Sequence, residues 1–225
     1  GIQLVPNKTI IDAPASSALA YINYQYKDDD MAQIEQTKKL PVTLLQDPVY
    51  LKRLDCLTTT LPEETKTVSI YSLGERDALV WGNNKYLILA PTILLKKGTT
   101  SENLSTELLN HRLTLYYLSA EGDEDANTLK LYLRYEISGI GGSSTEETDD
   151  KESWASDYNV RYTNVSHVNL QPIISMYKST HSGSEPEKVT VEYEYNNSTS
   201  SIPTIAKKQT KTVTYNLYTE TSSNN

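Results

Sequence analysis

The sequence predicts a mainly β fold: an antiparallel two-sheet sandwich, jelly-roll-like or immunoglobulin-like, with two or three short helices. Three observations predict it. Period-2 alternation of bulky and polar side chains recurs along the chain. Clusters of Gly, Asn and Asp separate the alternating segments. No convincing helix-period segment alternates with them, which disfavours βαβ units.

Residues 1–18 hold two prolines, little periodicity and apolar spots that include Ile2, Leu4 and Val5. They predict an extended N-terminal arm suited to docking on a neighbour. Residues 19–218 then read as one β-rich domain. Ala20–Tyr26 alternates as a strand with one wet face. Asp28–Lys39 opens on three carboxylates and closes on Lys38-Lys39, a charge order that suits the helix dipole. Asp47-Pro48 reads as a helix start, with Tyr50, Leu51, Leu54 and Leu57 on one face.

Thr67–Ser72 is the next alternating segment, and Gly82-Asn83-Asn84 predicts a hairpin turn after Ala78–Trp81. Tyr86–Leu95 is more continuously apolar, so it predicts a central strand bent or bulged at Pro91. Lys97-Gly98-Thr99 is a turn, and Glu102–Asn110 a short helix. His111–Tyr116 and Thr128–Ile137 alternate on either side of the turn Glu121-Gly122-Asp123. The low-hydrophobicity acidic stretch 139–157 predicts a long surface loop. Lys188–Tyr195 and Lys211–Tyr218 alternate most clearly, across the turn Asn196-Asn197-Ser198. Residues 219–225 read as a flexible tail. The reading gives about nine strands.

Composition narrows the function classes. Of 225 residues, 21 are basic and 29 acidic, a net charge of −8 that repels phosphate backbones. Lys207, Lys208 and Lys211 open a strand and read as protection of a sheet edge, so no direct nucleic-acid binding is expected. No apolar run is long enough for a membrane-spanning helix. Cys56 is the only cysteine, which excludes an intrachain disulfide, and its apolar neighbours make it a buried hydrophobe. The chain opens on Gly1 rather than Met, which predicts N-terminal processing, and no signal peptide is visible.

No catalytic motif is present, neither a phosphate-binding Gly loop nor a Gly-x-Ser-x-Gly elbow. His111, His167 and His181 lack metal-ligand spacing. His181 lies beside Thr180 and Ser182, but hydroxyls are so frequent here that such neighbours arise by chance. Glu192 and Glu194 lie two apart on one strand face, a spacing common on solvated faces. Asp28-Asp29-Asp30 and the run Glu121–Asp125 resemble loose calcium loops without EF-hand spacing. Neither a cofactor, a metal nor an enzymatic activity is expected. Asn-x-Ser/Thr sequons begin at Asn7, Asn103, Asn164, Asn196 and Asn197 in a chain rich in Asn, Ser and Thr.

The aromatic usage is unusual: 17 tyrosines and no phenylalanine. Tyrosine carries an apolar ring with a hydroxyl that needs polar ground, so an exposed tyrosine surface is one consequence. The first expectation is a structural or self-assembling protein, such as a viral coat, capsid or filament appendage subunit. Its partners would be copies of itself or other structural subunits, in a virion or extracellular assembly rather than the cytoplasm. The alternative is a cell-surface or secreted binding module that meets a carbohydrate or protein through Tyr21, Tyr24, Tyr26, Tyr193 and Tyr195.

Overall fold

Alternation is most regular where the longest strands form. In the computed structural model the described residues are 2–8, 19–32, 34–74, 78–119, 127–141, 149–196 and 202–218. They divide into two units, residues 1–53 and 54–225.

The first unit contains β1 (Gln3–Pro6), β2 (Ala20–Tyr21), β3 (Tyr24–Gln25), α1 (Asp28–Met31), α2 (Ile34–Thr37), β4 (Lys39–Leu44), β5 (Val49–Tyr50) and β6 (Lys52–Arg53). β4 lies between β1, which runs parallel to it, and β3, which is antiparallel. Its alternation decides the packing. Leu40, Val42 and Leu44 turn inward and form a small core with Ile34, against which Leu4, Ile22 and Tyr24 pack. Lys39, Pro41 and Thr43 turn outward. β2 pairs separately with β5.

The described part of the expected arm is therefore a strand of this sheet. Gln3 N donates to Lys38 O and Asn7 N to Val42 O, and Leu4 is a core contact. Residues 9–18 lie outside the described residues. The helix expected over 28–39 is broken into two short turns, and Lys38 takes a positive φ of 53° directly before β4. The helix expected after Asp47-Pro48 does not form: its residues make the short strands β5, β6 and β7 (Cys56–Leu57). The propensity of a Pro-led start is weak beside the pairing of Ala20–Tyr21 with Val49–Tyr50.

The second unit continues from β7 with β8 (Ala78–Trp81), β9 (Tyr86–Leu89), β10 (Thr92–Lys96), α3 (Leu104–Leu108), β11 (His111–Tyr116) and β12 (Thr128–Ile137). It ends with β13 (Tyr158–Thr163), β14 (Ser166–Asn169), α4 (Gln171–Thr180), β15 (Lys188–Asn196) and β16 (Lys208–Asn216). Its main sheet has the order β16-β15-β12-β11-β7. β9 lies between β14 and β8, and β10 pairs with β13.

The sheets are mixed rather than wholly antiparallel. β12 runs parallel to β15, β11 to β7, and β1 to β4. The chain from β12 to β15 spends its crossover on β13, β14 and α4, a length that a parallel pair requires. One face of the main sheet is apolar: Leu113, Leu115, Leu129, Leu131, Leu133, Val189, Val191 and Val213 join Leu87, Leu89, Ile93 and Val168 in one core. Fully burying a Leu or Val of this kind contributes about 1.5–3 kcal/mol.

The Tyr86–Leu95 segment splits at Ala90-Pro91 into β9 and β10, the break expected of Pro91. Gly82, Asn83 and Asn84 take φ of 66°, 51° and 62° and turn β8 into β9, with Trp81 opposite Tyr86. The turns expected at 121–123 and 197–198, the core of the acidic loop at 142–148 and the tail at 219–225 lie outside the described residues. α4 was not expected. Its Pro172 near the start and the Ile173/Tyr177 spacing on one face are the signals that mark it.

Candidate groove on the N-terminal sheet and a buried ion ladder

The outward face of the three-stranded sheet is a groove. Val5 and Pro6 come from β1, Pro41 and Thr43 from β4, and Gln25 from the end of β3, with Val5 opposite Pro41 and Gln25 opposite Thr43. Tyr26, Lys27 and Asp30 follow β3 and rise beside it, and Asn7 closes the other end. The recess measures about 600 Å³, within the usual range for small-ligand sites. Period-2 geometry contributes to it: Pro41 and Thr43, turned away from the core, line the recess, whereas Lys39 of the same face does not and the edge of the core residue Val42 does.

The eight residues expected to bind are placed differently from one another. Val5 and Tyr26 line the groove, and both are exposed. Ile2 is exposed outside it, and Tyr21 is 63% exposed on β2. Tyr24 packs on the small core with its ring 6.4 Å from that of Tyr26, and Leu4 packs there too. Tyr193 is buried at 3% exposure, and Tyr195 is half-buried against the large core. These two share the strand face of Val189 and Val191, so alternation carries them inward and removes Tyr193 from any exposed surface.

The other face of β12 and β15 holds charges. Lys130 meets Glu192 at 3.4 Å, Glu192 meets Arg134 at 2.8 Å, Arg134 meets Glu194 at 3.8 Å, and Glu194 meets Lys208 at 3.2 Å. Lys130 also stands 4.9 Å from the centre of the Tyr132 ring. Arg134, Glu194 and Lys208 are each at most 8% exposed along their side chains. Lys208 donates to Glu64 O at 2.6 Å, to Thr67 O at 2.9 Å, and to Thr67 Oγ1. Burial holds its ammonium below the ordinary lysine range, although the Glu194 carboxylate acts in the opposite direction. Glu194 Oε2 finds no hydrogen-bond donor among the described residues. A recess of about 470 Å³ adjoins this end, lined by Glu64, Glu194, Lys208 and Thr210 among others.

A second polar cluster surrounds His111. Its Nε2 lies 3.0 Å from Glu107 Oε1, its Nδ1 is hydrogen-bonded with the Tyr135 hydroxyl, and the Tyr158 ring meets it edge-on. Burial, with Tyr158 and Glu107 nearby, drives the Tyr135 phenol well above its ordinary range. Tyr135 is fully buried, so the carboxylate–imidazole–phenol chain ties α3 to the sheet interior. Burial raises the half-buried Cys56 thiol to about 12. Among the described residues no group of three or more His, Cys, Asp and Glu could hold a metal ion. No described helix is long and apolar enough to cross a membrane.

Sequence reasoning placed Glu192 and Glu194 on one face but missed their partners. Arg134 lies 58 residues from Glu192 in sequence, and only the parallel β12–β15 pairing brings them together. Asn7, Pro41 and Thr43 carried no signal either, since a groove across strands has no local spacing.

No family model matches the chain, and no curated protein matches it. Solved structures share the fold. A protein from Bacteroides fragilis, described as a lipoprotein, has a TM-score of 0.68 at 20% identity, over 96% of this chain and 88% of that one. A protein from Parabacteroides merdae, described as uncharacterized, has a TM-score of 0.50 at 14% identity, over 96% of this chain and 89% of that one. Both of these proteins are bacterial, and the stronger of the two likenesses is to one described as a lipoprotein rather than to a coat, capsid or filament subunit. The expectation of a viral or filament structural protein, with its virion location, is overturned. It rested on strand content and missing catalytic motifs, which many β-rich folds share.

Proposed function

We propose that the chain is a non-enzymatic binding domain, secreted or displayed at a bacterial cell surface, that meets its ligand through the N-terminal unit. One observation carries this reading. Among the described residues, seven of the eleven exposed large hydrophobic side chains lie within residues 1–53, among them Tyr21, Tyr26, Val5 and Val49. Exposed apolar side chains cost solubility, and their concentration on one small unit marks a contact surface. The likeness to a Bacteroides protein described as a lipoprotein supports the location. Glu192 and Glu194 are each ion-paired, an arrangement that suits a fixed scaffold better than an acid–base pair. For the second unit we propose a sandwich-like layering, with β8, β9 and β14 over the apolar face of the main sheet; their side chains share its core.

Two measurements test the reading. Protease treatment of intact cells expressing the chain from its native gene should cleave it, whereas full protection would overturn the location. Amide chemical-shift mapping of the full chain, titrated with neutral glycans and separately with soluble peptides, should place shifts at Val5, Tyr26 and Thr43. Shifts that avoid residues 2–50 with both ligand classes would overturn the binding surface.

A further inference from the structure

We infer that the groove on the N-terminal sheet is a subsite for a neutral saccharide, an inference that rests on this groove being the binding surface proposed above. The floor is apolar and rigid, because Val5 and Pro41 sit opposite each other on paired strands. Tyr26 supplies an exposed aromatic wall, 47% accessible, buttressed by Tyr24. The C–H face of a pyranose carries partial positive charge and meets the negative face of such a ring. Its ring hydroxyls then need donors and acceptors at the rim.

The rim provides them. Gln25, Lys27, Asp30 and Thr43 make no side-chain hydrogen bond to another described residue, although all four line the recess. Asn7 Oδ1 accepts from Leu44 N at 3.3 Å, which fixes the amide plane and leaves its Nδ2 facing no protein acceptor among the described residues. Planar amide and carboxylate groups offer paired sites that match vicinal hydroxyls. Such groups discriminate among ligands through the hydrogen bonds they leave unpaired when the ligand is wrong.

Charge selects the class of saccharide. Lys27 and Asp30 cancel within the groove, and the protein carries a net charge of −8. Sulfated and uronic-acid chains are polyanions and are repelled by that field. A neutral polyhydroxyl ligand loses nothing to it. The recess, about 600 Å³, lies within the range of small-ligand sites and has room for a short oligosaccharide.

The test titrates the full chain with maltotriose, cellotriose and chitotriose at millimolar concentration, read by amide shifts and calorimetry. A heparin-derived oligosaccharide serves as the charged control, and a panel of soluble peptides as the second class. At least one neutral trisaccharide should shift Val5, Tyr26 and Thr43, with the heparin fragment giving none. Tyr26→Ala should weaken that binding on the order of tenfold, while Tyr26→Phe, which keeps the ring, stays within about twofold. Tyr218→Ala, at an exposed tyrosine outside the groove, should leave it unchanged. Groove shifts with peptides but with none of the trisaccharides would overturn the saccharide inference and leave the binding surface standing. Shifts in the groove with neither class would remove both. Equal binding by Tyr26→Ala and the unaltered chain would also overturn the inference.

Discussion

Arg134→Met removes the cation at the centre of the buried ladder, and its cost follows from the geometry. The guanidinium attracts Glu192 at 2.8 Å by about 6 kcal/mol and Glu194 at 3.8 Å by about 4 kcal/mol, with an effective dielectric constant near 20. Desolvation of the buried Arg134 and Glu194 and the half-buried Glu192 offsets most of that attraction, so the intact ladder adds little net stability. Deleting one partner is different, because Glu194 stays buried and Glu192 half-buried without it. Such deletions cost about 3–5 kcal/mol. Glu192 keeps Lys130 and Glu194 keeps Lys208, which places this one near 3 kcal/mol. At a urea slope of about 2 kcal/mol/M the midpoint should fall by about 1.5 M. Urea unfolding followed by tryptophan fluorescence reads it cleanly, since Trp81 and Trp154 both lie in the second unit. The double variant Arg134→Met/Glu194→Met should recover part of the loss, because it withdraws an orphaned carboxylate while Lys208 retains its carbonyl partners. A single-variant loss under about 1 kcal/mol, or a double variant weaker than the single, would refute the reasoning.

Two further outcomes follow from local geometry. Burial raises the Glu107 carboxyl, but the hydrogen bonds it accepts from His111 and from the Lys96 amide outweigh it, so its folded pKa lies below the ordinary 4.5. Stability from this group is present above about pH 4.5 and is lost as pH falls through the depressed value; Glu107→Gln should flatten that acid limb in a pH series of thermal melts, and an unchanged limb would count against it. Gly141 holds φ +83°, and a Cβ added there would stand 2.5 Å from Thr65 O, whereas Gly98 at φ +84° has open space. Gly141→Ala should therefore cost clearly more than the roughly 1 kcal/mol of strain expected at Gly98→Ala, and equal melting temperatures would show that the backbone around Thr65 yields.

Strand content was legible because alternation is a local property. Thr128–Ile137 forms β12 with the ends its pattern marks, and Lys188–Tyr195 forms β15 one residue longer. The Pro91 break and the Gly82–Asn84 turn were legible for the same reason: each depends on the φ its own residues allow. Asp47-Pro48 misled because a start signal of a few tenths to a kcal/mol yields to strand pairing. Tyr26 and Val5 of the groove stood among the residues expected to bind, but as separate spots.

The sequence by itself determined a mainly β chain and an acidic surface, and it put Glu192 and Glu194 on one strand face with Tyr193 and Tyr195 on the other. Only the tertiary structure decided which of those faces is core. It paired β12 with β15 in parallel, which set Arg134 between two carboxylates and buried Tyr193. It also laid β1 against β4, turning Val5, Pro41 and Thr43 into one groove. The physical reason is common to both: a period fixes which side chains share a face, whereas the partner strand that covers that face is chosen by contacts far apart in sequence.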